Sequence, residues 1–503
     1  MLESTVKKIL NAAVYGAAKA TPLDEAPSLS KKLDNRVMIK REDLQSVFSF
    51  KLRGAFNKMQ QLTDEQKKKG VICASAGNHA QGIAESGRIL GVKTTIVMPK
   101  TTPAIKVKSV RDRGGKVKLH GDAYDEAFEY SQILMAQEDL TFIHPFDDID
   151  VIAGQGTVAR EILQEVFDPI EAIFIPVGGG GLCAGMAAYI KYLRPEIKII
   201  AVEYEESACL KAAMDAGKRV VLDKVGIFAD GVAVAQIGKE TFNILKDTVD
   251  EVITINAAEI CAAIKDIFDD TRSVAEPAGA LGVAGLKKYV HTNNIKGRNL
   301  IAICSGANMN FDRLRYVAEQ SNIGEQTEAL LAVTITEEPG SFKKFCSVVG
   351  KRTITEFNYR YDDSKNAQIF VGVQVTGEED RLSVIDELIE NEYSVEDLTQ
   401  NNMAIHHIRH MVGGRSEDVD GEKIYRFEFP ERPSALLNFL KKLGFKWNIS
   451  LFHYRNNGAA SGKVLTGIQV PDEEIKEFEA LLEEIGYQYW NESDNPAYKL
   501  FLA

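Results

Sequence analysis

The 503-residue sequence lacks an excess of positive charge: 72 acidic residues outnumber 60 basic ones, and the formal net charge is −12 at pH 7. Nucleic acids and anionic membranes are bound by clusters of basic side chains, and no long basic stripe offsets the acidic balance. We therefore expect neither nucleic acid nor membrane as a partner. The composition favours a small ligand that is bound at a local site.

The sequence also lacks C-x-x-C pairs, and most of its six cysteines lie in apolar runs. This pattern predicts reduced, buried thiols in a cytoplasmic protein. Residues 1–4 show no basic region followed by an apolar core, so we expect no secretory signal. The uncharged stretch 172–190 is nearly long enough to span a bilayer, but Pro176 and four consecutive glycines interrupt it, so we predict no membrane span.

Short apolar strands alternate with amphipathic helices up to about residue 320. The predicted strands are 70–74, 93–98, 116–120, 172–177, 198–202 and 300–304, and predicted helices include 78–90, 102–113, 123–138 and 157–166. Such alternation indicates parallel sheets covered on both faces. Two series, near 70–145 and 170–305, predict two doubly wound lobes of the α/β class, with ligands at the carboxyl ends of the strands.

After about residue 325 the chain repeats itself. Residues 356–360 match 451–455, and 371–375 match 466–470, both at an offset of 95 residues. Each copy reads strand–helix–strand–strand–helix–strand, which predicts a ferredoxin-like unit; in the second copy the first strand is 425–429 and the first helix is 434–443. We expect the helices to cover one sheet face, and the other face to pack on the sister copy or a second subunit.

The polar segment between the copies contains three histidines, His406, His407 and His410. Their spacing would allow metal ligation from one helical turn. No cysteine or cluster of carboxylates completes such a ligand set. We therefore interpret them as solvent or interface histidines and predict no metal.

Lys51, within the segment SFKLRGA at 49–55, is the first candidate for chemistry. Phe50 precedes it and Leu52 follows, so partial desolvation is expected to lower its pKa. A neutral lysine can form a Schiff base with an aldehyde cofactor. The alternative is an ordinary lysine whose stem lies along the apolar side of a helix. Three motifs downstream favour the first interpretation.

These motifs all follow predicted strands. Residues 75–82, SAGNHAQG, turn into a helix whose backbone N–H groups would bind an anion, although a plain capped turn is the alternative. The glycines 178–181 lead into a helix at Leu182 and would expose a nest of N–H groups suited to a dianionic phosphate. The third motif, 304–308, carries a serine hydroxyl that could meet a ring nitrogen, although on its own it is an ordinary turn.

Together these motifs, with VAEPAGAL at 274–281 and the duplicated tail, resemble the biosynthetic threonine dehydratases, which belong to fold type II of the pyridoxal-phosphate enzymes. The resemblance covers essentially the whole chain. It implies a two-lobed catalytic domain over 1–322, with the smaller lobe at about 45–150. It further implies two ACT-like regulatory units, 323–400 and 423–503, joined by a connector at 401–422.

The resemblance also implies roles for individual residues. Lys51 would hold pyridoxal 5′-phosphate as a Schiff base and act as the catalytic base, with Phe50 against the ring, Asn78 at the ring hydroxyl, Ser305 at the pyridine nitrogen and Glu276 near the ring. The phosphate would be bound by Gly178, Gly179, Gly180, Gly181 and Leu182. The substrate carboxylate would be bound by Ser75, Ala76, Gly77 and His79.

The activity implied is the dehydration and deamination of L-threonine to 2-oxobutanoate and ammonia, the first committed step of isoleucine biosynthesis, with L-serine as a secondary substrate. Isoleucine would inhibit and valine would oppose it, in a cytoplasmic homotetramer. Three alternatives stay open. The chain could be a serine/threonine dehydratase or racemase of the same fold, or an amino-acid sensor with a vestigial catalytic half. The tail could serve oligomerisation alone.

Overall fold

The computed structural model describes residues 2–338, 340–360, 365–406, 408–411, 419, 421–430, 435–443, 446–455 and 461–502. The chain forms two compact units, Met1–Gly324 and Glu325–Ala503. Among the described helices, none combines the length and the apolar character that crossing a bilayer requires.

The first unit contains ten strands and fourteen helices among the described residues. The strands are β1 (Leu23–Glu25), β2 (Arg36–Arg41), β3 (Val71–Ala74), β4 (Thr94–Met98), β5 (Lys116–Leu119), β6 (Thr141–Phe142), β7 (Ala172–Pro176), β8 (Lys198–Tyr204), β9 (Glu251–Ile255) and β10 (Asn299–Cys304). The helices are α1 (Leu2–Leu10), α2 (Pro27–Leu33), α3 (Lys51–Gln60), α4 (Asp64–Lys69), α5 (Asn78–Leu90), α6 (Ala104–Asp112), α7 (Tyr124–Glu138), α8 (Ile149–Glu165), α9 (Gly181–Leu193), α10 (Cys209–Ala216), α11 (Lys239–Leu245), α12 (Ala257–Thr271), α13 (Pro277–Asn293) and α14 (Arg313–Gly324).

The larger lobe is built on a six-stranded sheet of order β1-β2-β10-β7-β8-β9, parallel except for β1. Successive residues of its central strands enter different cores. Ile173 and Ile175 pack in one core with α8 and α9, whereas Ala172 and Phe174 pack in another with α12 and α13. Burial on both faces explains why these strands read as unbroken apolar runs.

The smaller lobe is a four-stranded parallel sheet of order β5-β4-β3-β6. The six strands predicted for the two lobes are confirmed to within two residues at each end, and helix 78–90 is confirmed at both ends. The two-lobed, doubly wound architecture predicted from the alternation is therefore confirmed. Strands β1, β2, β6 and β9 were not predicted.

Helix α8 begins at Ile149, eight residues before the predicted start at Thr157, so that boundary was wrong. Asp148 caps the helix by accepting hydrogen bonds from two backbone N–H groups. The sequence did not predict the first turns of α8 because Gly154 and Gly156 have a low helix propensity. A Cβ at Gly154 would lie 2.7 Å from the Cα of Gly54 in α3, so the glycine allows the two helices to touch.

The second unit contains eight strands and six helices among the described residues. The strands are β11 (Glu328–Thr336), β12 (Ile354–Arg360), β13 (Asn366–Gln374), β14 (Ser394–Asp397), β15 (Glu422–Pro430), β16 (Asn448–Arg455), β17 (Ser461–Gln469) and β18 (Gln488–Asn491). The helices are α15 (Ser341–Val349), α16 (Glu378–Glu390), α17 (Asn402–His406), α18 (Ala435–Leu443), α19 (Ile475–Ile485) and α20 (Pro496–Phe501). The order in both copies confirms the predicted ferredoxin-like plan; residue 434 lies outside the described residues.

We had expected the free sheet face of one copy to pack on the sister copy or on a second subunit. The two copies do not pack face to face. They join edge to edge, because β12 pairs antiparallel with β16 and makes one eight-stranded sheet of order β14-β11-β13-β12-β16-β17-β15-β18. Apolar residues from α15, α16, α18 and α19 enter a single core with this sheet. Hydrogen bonding between sheet edges and a shared apolar core, not the stacking of sheet faces, therefore hold the duplicated copies together.

Candidate active site

Lys51 is the first residue of α3, and its Nζ donates a hydrogen bond to the carbonyl of Pro145 at 3.0 Å. The amine lies 5.3 Å from the centre of the Phe50 ring. Burial lowers the pKa of Lys51 to about 8, against the opposing effect of the charge of Glu276. About a tenth of the amine is therefore unprotonated at pH 7, far more than for an ordinary lysine, and this is the form that a nucleophile or base requires.

The four glycines after β7 form a buried turn at the start of α9. Gly180 has φ of +91°, a conformation that glycine adopts without strain. A Cβ at Gly178 would lie 2.8 Å from the Cα of Val232, and one at Gly179 would lie 2.2 Å from the Phe146 ring. Side chains are therefore excluded, and the backbone N–H groups and the positive end of α9 form a cradle that fits a phosphate.

The loop 75–77 connects β3 to α5 and is half-exposed, as is Asn78, whereas Ala74 before it and His79 after it are buried. A Cβ at Gly77 would have no neighbour within 4 Å, so the backbone faces open space. The imidazole of His79 does not serve this loop, since its Nε2 donates to the carbonyl of Ile143 at 2.9 Å. Burial, with the charge of Lys51 adding to it, lowers the pKa of His79 to about 3, so the ring is neutral.

Asn78 and Glu276 meet across 198 residues of sequence. The Asn78 amide donates to Glu276 Oε1 at 2.6 Å, and Asn308 donates to Asn78 Oδ1 at 2.5 Å and to the carbonyl of Val47 at 2.8 Å. These bonds fix which way the amide of Asn78 points. Burial raises the pKa of Glu276 to about 7; the charge of Asp230 adds to the rise, and the bond from Asn78 opposes it.

Ser305 follows β10 and is buried. Its hydroxyl donates to the carbonyl of Ala278 at 3.3 Å, and its own carbonyl accepts from the N–H of Phe50 at 3.3 Å. The neighbouring residues Ser49 and Gly306 form a backbone bridge. The end of β10 is thereby tied to the segment that carries Lys51.

Shared neighbours link these groups into one site. Pro145 receives the hydrogen bond from Lys51, and the next residue, Phe146, packs on the glycine cradle. Val232 packs on Gly178, and a Cβ at the preceding residue, Gly231, would lie 3.6 Å from Glu276 Oε1 and 3.7 Å from the amide nitrogen of Asn78. Two short segments, 145–146 and 230–232, therefore contact all three parts of the site: Lys51, the cradle and the Asn78–Glu276 pair.

Sequence reasoning did not identify Phe146, Val232 or Asn308 as parts of the site. Phe146 and Val232 lie in stretches without periodic pattern. Asn308 was quoted within the 304–308 motif but was given no role. Among the described residues, no group of three or more His, Cys, Asp or Glu side chains could hold a metal ion. His410 is exposed, and His407 and the side chain of His406 lie outside the described residues.

Known proteins match both units. A family model for pyridoxal-phosphate dependent enzymes matches residues 14–306, and a model for the C-terminal regulatory domain of threonine dehydratase matches residues 319–408 and 413–502. The cofactor predicted from the motifs is therefore confirmed at the level of the family. The glycine cradle and the lowered pKa of Lys51 are the features that fit pyridoxal phosphate in this chain.

Curated and solved relatives agree with these matches. The biosynthetic L-threonine dehydratase of Salmonella typhimurium is 55% identical over 499 residues, which are 99% of this chain and 97% of the relative. The processed form of threonine deaminase isoform 2 from Solanum lycopersicum superimposes with a TM-score of 0.63 at 46% identity, covering 64% of this chain and 93% of that chain. Serine racemase from Dictyostelium discoideum gives a TM-score of 0.57 at 30% identity, covering 61% and 99%. The chain therefore belongs to the pyridoxal-phosphate-dependent enzymes and, among them, to the biosynthetic threonine dehydratases.

Proposed function

We propose that this chain converts L-threonine to 2-oxobutanoate and ammonia. The observation that carries the proposal is the combination of a lysine of lowered pKa at the start of α3, a glycine cradle after β7 of the larger lobe and a half-exposed loop after β3 of the smaller lobe. The 55% identity to an L-threonine dehydratase supports threonine as the substrate.

The residues that would hold the cofactor follow from their contacts. The N–H groups of residues 178–182 would bind its phosphate, Lys51 would attach to its aldehyde carbon, Phe50 would lie against its ring, and Asn78 and Ser305 would contact ring substituents or the ring nitrogen. When bound, pyridoxal phosphate supplies an electron sink next to the α-carbon of the amino acid.

The remaining steps fall to the protein. The loop formed by Ser75, Ala76, Gly77 and the N–H of His79 would bind the substrate carboxylate at the start of α5. Once the amino group of threonine has replaced Lys51 on the cofactor, the released, unprotonated Nζ of Lys51 would accept the α-proton, and its bond to Pro145 would orient the amine. The β-hydroxyl would then leave as water with the proton that Nζ has accepted, which returns Lys51 to its unprotonated form. Hydrolysis of the released enamine consumes a water and gives ammonia and 2-oxobutanoate, so threonine loses ammonia overall.

Glu276 would act near the ring by holding Asn78. Its raised pKa keeps a fraction of the carboxyl protonated at neutral pH, which limits the negative charge beside Lys51. Asn308 holds the other end of the Asn78 amide. We assign these two residues to positioning Asn78.

The test measures 2-oxobutanoate from L-threonine and pyruvate from L-serine with the cofactor-loaded protein. We expect higher kcat/KM for threonine. Lys51→Ala should abolish turnover while its circular dichroism spectrum stays unchanged, because the base and attachment point are lost. Lys58→Ala, on the same helix but paired with Asp148 and Asp150, is the matched control and should retain activity. Turnover by Lys51→Ala at the wild-type rate would contradict the assignment.

Other outcomes would select the alternatives. Formation of D-serine, or a clear preference for serine, would favour a racemase or serine-directed enzyme, whose fold this chain shares. A purified protein that neither binds pyridoxal phosphate nor turns over either amino acid would favour an amino-acid sensor.

We also propose that the second unit makes the enzyme responsive to end product, with isoleucine inhibiting and valine opposing it. The match of residues 319–408 and 413–502 to a regulatory domain supports this. A chain ending at Gly324 should keep threonine turnover and lose inhibition by isoleucine. Equal inhibition curves for the full and shortened chains would refute the regulatory role and favour a tail that serves oligomerisation alone.

We further propose a cytoplasmic homotetramer that acts at the first committed step of isoleucine biosynthesis. All six cysteines are free and buried, which suits a reducing compartment. Light scattering of the purified protein at several concentrations should give four subunits, and a monomeric mass throughout would exclude the tetramer.

A further inference from the structure

An ion pair joins the two lobes of the first unit next to Gly231, which faces Asn78 and Glu276. Lys106 lies in the first turn of α6 in the smaller lobe, and its Nζ is 2.5 Å from Oδ2 of Asp230 in the larger lobe. The two side chains are 17% and 33% exposed. Salt screens a partly buried ion pair less than a surface pair, so the attraction between Lys106 and Asp230 should persist at physiological ionic strength.

Asp230 lies in a long connection between α10 and α11 that contains no other helix or strand than the short 3₁₀ turn Asp230–Val232. Long connections of this kind in a compact domain are usually functional. The two residues after Asp230 form part of the wall of the site, since Gly231 faces Asn78 and Glu276 and Val232 packs on Gly178. The position of Asp230 is therefore tied to the position of the groups that meet the cofactor.

A second cation holds the same connection from within the larger lobe. Arg313, the first residue of α14, donates to the carbonyl of Phe228 at 3.0 Å, and its Nη1 is 3.9 Å from Oδ1 of Asp230. Asp230 thus has a longer ionic contact on its own lobe and a close partner on the opposite lobe. Separation of the lobes would break the contact with Lys106 and leave the contact with Arg313.

We propose that the Lys106–Asp230 ion pair is a latch that holds the smaller lobe closed over the active site and sets Gly231 and Val232 against the Asn78–Glu276 pair and the glycine cradle. Both residues are positioning residues. The expected effect on KM for L-threonine rests on the proposed function. The ion pair itself does not, because hydrogen exchange can detect its loss without substrate.

The test compares Lys106→Met, Asp230→Asn, the double variant and Lys106→Arg in the full-length, cofactor-loaded protein. Lys108→Met is the matched control: it lies on the same helix and removes an exposed pair with Asp112. Hydrogen exchange of residues 104–112, measured without substrate, should be about tenfold faster in both single variants, since a charge-assisted hydrogen bond is lost. Lys106→Arg and Lys108→Met should exchange at the wild-type rate.

Kinetics give the second readout. KM for L-threonine should rise about tenfold in Lys106→Met while kcat changes less than about twofold, because the latch holds the closed complex and does not touch the reacting atoms. The double variant should equal Asp230→Asn, since that variant has already lost the contact that Lys106→Met removes. Unchanged exchange and KM in Lys106→Met, or effects that add in the double variant, would overturn the latch. If the wild type does not dehydrate threonine, the proposed function fails and hydrogen exchange alone decides the latch.

Discussion

Replacing Arg53 by methionine would test the buried charge network beneath Lys51. Arg53 is fully buried on α3, two residues after Lys51. Its guanidinium donates two hydrogen bonds to Glu42 and two to Glu161, at 2.6–2.9 Å. Lys40, also fully buried, lies 2.9 Å from Glu161. The four charges cancel, which is the condition under which such groups are stable inside a protein.

The cost of the substitution follows from this geometry. Removing one partner of a buried ion pair costs about 3–5 kcal/mol, because the remaining charge stays desolvated. Arg36 is the matched control: it also pairs with two carboxylates, Glu25 and Asp168, but its side chain is 45% exposed. Loss of an exposed pair costs about 0–1 kcal/mol. The difference in unfolding free energy between Arg53→Met and Arg36→Met therefore measures the effect of burying the ion pair.

Urea unfolding followed by circular dichroism measures both changes in the free energy of unfolding. Adding Glu42→Gln to Arg53→Met should recover part of the loss, because Glu161 keeps its pair with Lys40 whereas Glu42 is left as a buried charge without a cation. The hydrogen bonds and charge of Arg53 lower the pKa of Glu161, although burial alone would raise it. The stability this pairing contributes is present above pH 4.5, the ordinary pKa of glutamate, and is lost as pH falls, so the gap between wild type and Arg53→Met should narrow below pH 4.5. A loss below 1 kcal/mol at neutral pH, equal to that of Arg36→Met, would refute the reasoning.

Two further predictions concern the cofactor and the tail. The rate at which pyridoxal phosphate reattaches to cofactor-free protein, followed by absorbance, should rise with pH through about 8, because burial lowers the pKa of Lys51 to about 8 and only the unprotonated amine reacts; a midpoint near 10.5 would contradict this. Phe439→Ala should destabilise the second unit by about 3–5 kcal/mol, since the buried ring packs 4.9 Å from that of Phe427, and scanning calorimetry should show it; a loss under 1 kcal/mol would show that the neighbouring rings close the cavity.

The sequence predicted those elements whose pattern is local. Strands such as β3 and β7 are short apolar runs that end at glycine or serine, and α5 begins at Asn78 and ends before Gly91, so both its boundaries carry signals. β2 was missed because Lys40 interrupts its apolar run. That lysine is tolerated only because Glu161, 121 residues away, neutralises it in the fold.

The parts of the site that were predicted are likewise those with a local pattern. Lys51, the glycine cradle and the 75–79 loop are each continuous motifs, and their positions at strand ends follow from the topology of parallel sheets. Contacts between motifs carry no local signal. The hydrogen bond of Asn78 to Glu276, the ring of Phe146 on the cradle and the ion pair of Lys106 with Asp230 all depend on how the two lobes fold together.

The strand pairing that joins the duplicated copies has its own symmetry. Residues 356 and 360 pair with 455 and 451, and Asn358 pairs with His453, its own counterpart at the offset of 95. Each copy thus offers the same strand to the other, as the subunits of a twofold dimer do. A chain with one copy would leave β12 as an open edge and could close it only with another molecule. Duplication turns that association, which depends on concentration, into a permanent intramolecular one, so the regulatory unit keeps its sheet intact at any dilution.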